Sequence, residues 1–334
     1  MSTAKGKSET KSTNGGQDAR AHSVIAIVGP TASGKSELGI QLALRLGGEI
    51  INCDSVQVYQ YIQIATAKVP LAERRGVPHH LIDFVSPQVN FTAADWARAA
   101  VEKIEEITAR GRHALLVGGT GFYLRALRQP FFPSPPTDEN LRRRLTRIRE
   151  RRGPERLHRI LRRFDTAEAD KLSPRDWPRV QRAIEFYLQT GEPISRQRAL
   201  RPEPPPLASR IRVIALNPPR EELYARINER TDKHFTSGLV EEVRRLLADG
   251  VPANSNALGA HGYRRAVEYL RGERDLASAI EQTKLDVRHY AKRQLTWFRQ
   301  EDGVEWFEGF GHDPRVQEQV FEGLQTSHKF FRAE

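Results

Sequence analysis

The residues Gly29-Pro30-Thr31-Ala32-Ser33-Gly34-Lys35-Ser36 follow directly on the apolar run Val24-Ile25-Ala26-Ile27-Val28. This is the phosphate-loop spacing G-x-x-x-x-G-K-[ST] in the strand-to-helix setting it requires. Successive backbone N–H groups at a helix N-terminus form a concavity for anions, and the helix dipole adds partial positive charge. Gly29 and Gly34 permit backbone angles and close approaches that a Cβ would forbid. Lys35 brings a mobile cation to terminal phosphate oxygens, and the Ser36 hydroxyl suits Mg²⁺. The loop therefore fixes one ligand group as a di- or triphosphate. It leaves the reaction open, because kinases, NTPases and other transferases all hold phosphates this way.

A second group of residues can do acid–base chemistry. Asp54 opens Asp54-Ser55-Val56-Gln57-Val58-Tyr59, just after the apolar stretch Glu49–Asn52. The carboxyl ends of parallel strands form the ligand crevice in such folds, so this acid is expected to face the phosphate loop, with helix capping as the alternative. The run Ala114–Val117 leads into Gly118-Gly119-Thr120-Gly121, where a nucleotide-hydrolysing enzyme carries an acid for Mg²⁺ and water. The missing acid argues against hydrolysis. The glycines are read as room for a bulky substrate to approach the backbone, with the Thr120 hydroxyl entering the same crevice. Arg226 and Arg230 lie four apart on one predicted helix face and are candidates for further diphosphate contacts. His79-His80 has no companion ligand at metal spacing and is read as structural.

Basic residues interleaved with aromatic ones point to a polynucleotide. Arg179 and Arg182 lie in Asp176-Trp177-Pro178-Arg179-Val180-Gln181-Arg182. Lys292, Arg293 and Arg299 lie in the segment His289–Arg299 with Tyr290, Trp297 and Phe298. Such clusters suit stacking and phosphate contact with unpaired nucleotides, although each aromatic singly also suits a helix core. Between Arg142 and Arg163 there are eleven arginines against only two acids, Glu150 and Glu155, which leaves little i,i+4 pairing. The whole chain has 53 Lys+Arg against 42 Asp+Glu, a net charge of +11, which a polyanionic partner explains most simply.

These residues need a scaffold. Short apolar runs at Val24–Val28, Glu49–Asn52, Leu81–Val85 and Ala114–Val117 alternate with helical patterns, the signature of a parallel sheet flanked by helices. A capping box, Thr92 with Asp95, opens the helix before Ala114. Proline-rich joints at Pro130–Pro136 and Arg201–Pro206 bracket an arginine-rich helical stretch. The predicted organisation is a tail over 1–22, a first core part over 23–133, a helical insertion over 134–206, a second core part over 207–320 with C-terminal helices, and a tail over 321–334. Ile211–Leu216 reads as a strand returning to the sheet. No apolar run approaches the roughly 18 residues of a membrane span, so no membrane partner is expected. The one cysteine, Cys53, fits a reducing cytoplasm.

In order and spacing, seven stretches resemble the tRNA isopentenyltransferase family. They are Gly29–Ser36, Asp54–Tyr59, Thr66-Ala67-Lys68, Val77–Asp83, Val117–Tyr123, Asp176–Glu185 with Thr190-Gly191, and Tyr290–Arg299. The resemblance implies a P-loop NTPase-like α/β fold with an all-helical insertion. It implies transfer of a dimethylallyl group from its diphosphate to N6 of adenosine 37, beside the tRNA anticodon, with Mg²⁺. The phosphate loop Gly29–Ser36 would hold the prenyl diphosphate rather than ATP, with Lys35 and Thr120 at the reacting centre and Ser36 on the metal. Asp54, Ser55, Val56, Gln57 and Thr120 would meet the target adenosine, Asp54 acting as base. Arg142, Pro178, Arg179, Val180, Gln181 and Arg182 would contact tRNA, and the basic pair Lys292 and Arg293 is assigned to the same partner. Ala65 and Pro178 depart from the family pattern, which carries Gly and Gln there. The zinc-binding extension of the family's eukaryotic members has no counterpart in this sequence, so the resemblance implies a bacterial-type enzyme; a monomer is expected. A prenyltransferase acting on free adenine nucleotide, a small-molecule kinase and a non-catalytic RNA-binding protein are the alternatives.

Overall fold

Runs of apolar residues without polar alternation make strands that are covered on both faces, and the sheet is built from such runs. The structure is a computed structural model that describes residues 24–129, 131–200 and 203–326. Its strands are β1 (Val24–Val28), β2 (Glu49–Asn52), β3 (His79–His80), β4 (Ala114–Val117), β5 (Ile211–Asn217) and β6 (Val304–Glu308). They pair in parallel in the order β3-β2-β4-β1-β5-β6. Val24, Ala26 and Val28 face one side with Ile51, Leu116 and Val213, whereas Ile25 and Ile27 face the other with Ile50, Leu115 and Ile214.

Helices cover both faces. In chain order they are α1 (Lys35–Leu46), α2 (Ala93–Ala109), α3 (Gly121–Arg128), α4 (Glu139–Arg152), α5 (Pro154–Arg162), α6 (Thr166–Ala169), α7 (Trp177–Thr190) and α8 (Ile194–Ala199). After β5 come α9 (Arg220–Thr236), α10 (Leu239–Ala248), α11 (His261–Leu270) and α12 (Leu276–Arg299), and after β6 comes α13 (Pro314–Thr326). α1 and α13 pack on the Ile25 side, while α2, α3 and α10 to α12 cover the Val24 side. The expected capping box is present at the start of α2, where Thr92 and Asp95 cap each other. Helices α4 to α8 close around a separate apolar centre containing Leu145, Leu157, Leu161, Val180, Ile184 and Phe186. Along α4 only Leu145 is buried, so most of its arginines face solvent.

Two expectations need correction. The strand expected at Leu81–Val85 is replaced by the two-residue β3, because Leu81 and Asp83 take positive φ angles of 57° and 54° that break an extended run. Only a single bridge, Tyr59 to Val85, remains of it. The expected C-terminal tail, 321–334, begins inside α13, whose Val316, Val320 and Leu324 bury themselves against the sheet at i,i+4,i+8 spacing. Strand β6 was not expected at all; its sequence Val-Glu-Trp-Phe-Glu breaks alternation at Trp306-Phe307, and it forms a partly exposed edge of the sheet. The tail 1–22 lies outside the described residues.

Candidate active site

The phosphate loop bends between β1 and α1. Gly34 sits at the helix N-cap with φ 86°, and a Cβ there would meet Gly311 N at 2.9 Å. The turn after β6 thus supports the loop from outside, with Gly311 N–H donating to Ser33 O at 2.9 Å. Lys35 Nζ folds back to donate to Pro30 O at 2.6 Å. Thr31 is held twice: its N–H donates to Gln294 Oε1 at 2.8 Å, and its Oγ1 accepts from Arg230 Nη2 at 2.6 Å. Gly34, Lys35, Ser36, Lys68, Arg226 and Arg230 line a cavity of 760 Å³. Burial pushes the Lys35 ammonium down to about 8, with the Asp54 charge opposing and Arg230 assisting the shift. Burial also lowers the Arg230 guanidinium, again against Asp54 and with Arg226. Glu37, Glu73 and Glu229 also line this cavity, and a diphosphate held by the loop would bring further anionic charge to the buried Lys35 and Arg230.

Asp54 leaves β2 at its carboxyl end, as expected of a crevice residue. The buried Asn52 side chain sets its direction, accepting from Asp54 N–H at 3.1 Å and donating to Asp54 O and Leu81 O, both at 3.0 Å. Asp54 Oδ1 accepts from Val56 N–H at 2.9 Å and Gln57 N–H at 3.4 Å. The carboxylate therefore caps a turn and faces the crevice at once. Gln57 Nε2 donates to Thr66 O at 2.9 Å, and the buried Lys68 Nζ pins that same stretch to Tyr59 O, Ile62 O and the Asp83 carboxylate. Thr120 Oγ1 accepts from Ser55 N–H at 3.0 Å.

Asp54, Thr120, Thr31, Arg230, His234 and Tyr290 line a second cavity, of 710 Å³, which shares Ala67 and Arg230 with the first. Burial, with Arg230 nearby, pushes His234 down to about 4, so it is neutral at pH 7. The Tyr290 hydroxyl lies against Thr120 and is pushed up by burial and the Asp54 charge, so it stays protonated. The phosphate-loop cavity carries both signs of charge, Lys35, Arg226 and Arg230 with Glu37, Glu73 and Glu229, and its neighbour carries Asp54, hydroxyls, apolar walls and the shared Arg230.

The glycines after β4 have another cause than the one expected. A Cβ on Gly118 would lie 2.1 Å from Cys53 O, one on Gly119 2.1 Å from Gln294 Nε2, and one on Gly121 2.2 Å from the Trp297 ring. They make room for β2 and α12 to approach, rather than for substrate.

A protein-family model described as IPP transferase matches residues 57–301. The chain belongs to the IPP transferase family. It is 48% identical over 295 residues to a tRNA dimethylallyltransferase of Solibacter usitatus, covering 88% of this chain and 95% of that one. A tRNA dimethylallyltransferase of Geobacter metallireducens is 47% identical over 286 residues, with 85% and 92% covered. Among solved structures, the tRNA isopentenylpyrophosphate transferase of Bacillus halodurans aligns with a TM-score of 0.67 at 37% identity, over 92% of this chain and 98% of that one. A eukaryotic dimethylallyltransferase acting on tRNA aligns with a TM-score of 0.76 at 29% identity, over 92% and 79%. The fold is the P-loop NTPase-like parallel sheet expected from the sequence, and the enzyme class is prenyl transfer.

In this IPP transferase the candidate residues fall into two sets. Thr31, Ala32, Gly34–Ser36, Asp54–Val56, Thr120 and Arg230 line the two cavities, whereas Gly29, Pro30, Ser33 and Gln57 line neither, and Arg226 joins the first set while touching His312 at 3.1 Å and stacking over Phe310. The second set is spread over the surface. Pro178 and Arg179 are exposed at the start of α7, and Lys292 and Arg293 are exposed on α12. Val180 and Gln181 point inward instead, Val180 into the α4–α8 core and Gln181 onto Arg142 O and Glu185. Arg142 is engaged by the buried Glu185 at 3.0 Å, and Arg182 holds Ser134 and Pro135 O. Sequence reasoning missed Asn52 and Gln294. For Gln294 the signal was available: it lies four residues after Tyr290 and three before Trp297, on their inward helix face.

Proposed function

We propose that this IPP transferase moves a dimethylallyl group from dimethylallyl diphosphate to N6 of adenosine 37 in the tRNA anticodon stem-loop. The observation that carries the proposal is the joining of the phosphate-loop cavity, with Lys35, Arg226 and Arg230 in its walls, to one holding Asp54 through shared walls at Ala67 and Arg230. The family match and the relatives' names supply the substrate class.

The chemistry needs both halves. An adenine exocyclic amine is a poor nucleophile because its lone pair is delocalised into the ring. As the new N6–C bond forms and the C–O bond to diphosphate breaks, a base must take the N6 proton. Asp54 Oδ1 is occupied by the Val56 N–H, which leaves Oδ2 for that proton. Lys35, Arg226 and Arg230 meet the charge gathering on the diphosphate. The Ser36 hydroxyl lines the same cavity, and no group of three metal-ligating side chains occurs among the described residues. That donor set fits Mg²⁺, which favours few protein ligands together with phosphate oxygens and water. A Mg²⁺ held by Ser36 and the diphosphate would stabilise the departing group electrostatically.

The target base must leave its stack, at a cost of a few kcal/mol. Phosphate contacts from the arginines of α4 and α5, and from Arg179, Lys292 and Arg293, would offset it. The test uses labelled dimethylallyl diphosphate and paired tRNA transcripts with adenosine or guanosine at position 37, followed by nuclease mapping. Label at adenosine 37 alone is expected; equal label in the guanosine transcript contradicts the assignment.

A further inference from the structure

We infer that Gln294 is a positioning residue for prenyl transfer, which sets the spacing between the phosphate loop and the Gly119–Thr120 turn. The inference rests on the prenyl-transfer reading of the two cavities. Gln294 belongs to neither of them, yet it touches the frame of both.

Its amide is used at both ends. Oε1 accepts the Thr31 N–H at 2.8 Å across 263 residues of chain, and Nε2 donates to Gly119 O at 2.9 Å across 175. The residue is 5% exposed, so no water replaces either partner easily. Gly119 has no room for a side chain because Gln294 Nε2 fills the space. The same face of α12 holds the rest of the turn, with Tyr290 beside the Thr120 hydroxyl and Trp297 against Gly121. In a phosphate loop the backbone N–H groups ordinarily face the anion. Here the Thr31 N–H is given to Gln294, so the amides left to the diphosphate come from the residues after Thr31. Thr31 also lines the Asp54 cavity, and Thr120 faces it from the other side. A shift of one loop against the other would misplace the breaking C–O bond relative to the attacking amine, and errors near 1 Å in such geometry cost about 10²-fold in rate.

The decisive variant is Gln294→Met, which keeps length and volume but removes both hydrogen bonds. Single-turnover transfer is measured at saturating diphosphate and tRNA, per folded molecule, beside the wild type and with the tRNA KM. The expected result is a fall of about 10²-fold in the transfer step with the tRNA KM within about two-fold. An unchanged transfer step with only a lowered melting temperature overturns the inference, as does a raised tRNA KM with unchanged turnover. Should Gln294→Met not fold, Gln294→Glu keeps the acceptor for Thr31 but sets a carboxylate oxygen in place of the donor to Gly119 O, and the same split is expected. Failure of both variants to fold also overturns it, in favour of a purely structural role. A wild type that transfers no label would instead defeat the prenyl-transfer reading.

Discussion

One carboxylate, Asp54, has two duties. It caps the turn through Val56 and Gln57, and it faces the crevice as the candidate base. Asp54→Asn keeps an acceptor for the turn and removes the base, so it separates the duties where alanine would confuse them. Its kcat is expected to fall about 10²–10⁴-fold with tRNA binding unchanged; a loss confined to tRNA affinity would refute the role. Lys35 makes a pH prediction. Burial disfavours its charged form, so in the free enzyme it is protonated below about pH 8 and neutral above. Accordingly kcat/KM for the diphosphate should decline above about pH 8, and Lys35→Arg should move that limb to higher pH; an unmoved limb assigns it to another group. The phosphate loop and Asp54 were legible because their meaning is local, a contiguous pattern and a position after a strand. Gln294 and Asn52 were not. Asn52 belongs to no motif, and Gln294, although it lies within the Tyr290–Arg299 stretch on the inward face of its helix, has partners 263 and 175 residues away that the stretch does not name.

At the scale of elements, helices with their own start and stop signals could be read from sequence. α2 carries its capping box, and α7 opens on Trp177-Pro178 and closes on Gly191 at φ 76°. The short edge elements could not. β3 is two residues whose neighbours turn into positive φ, and β6 is half polar, so neither leaves a periodic trace. The α7 surface shows how one segment divides. Glu185 is fully buried and engages Arg142, with Arg182 nearby, so these two arginines organise α4 and α7. Arg142→Ala should therefore destabilise the protein by about 1.5–3 kcal/mol, seen as a lower melting temperature. The Arg179 side chain is 59% exposed and, among the described residues, pairs with Asp176 on its own helix turn. Arg179→Ala should leave melting unchanged, raise the tRNA KM and reduce the salt slope of tRNA binding by about 1. An unaltered salt slope would place Arg179 off the RNA path.

On the scale of the whole molecule, the sheet brings its functional loops to one edge because all its strands run in parallel. β1 ends in the phosphate loop, β2 in Asp54 and β4 in the Gly118–Gly121 turn, and neighbouring strands put the three within reach of one another. Helix α9 adds Arg226 and Arg230, and α12 closes the side opposite β2. The excess of +11, much of it on α4 and α5, lies where a polyanion rather than a metabolite would meet it. A free adenine nucleotide has no use for that surface, so acceptor choice tests the account most directly. The protein is incubated with labelled dimethylallyl diphosphate and unmodified tRNA, with AMP and ATP present as competing acceptors. Label in tRNA alone is expected; label entering AMP or ATP in place of tRNA would refute tRNA as the acceptor.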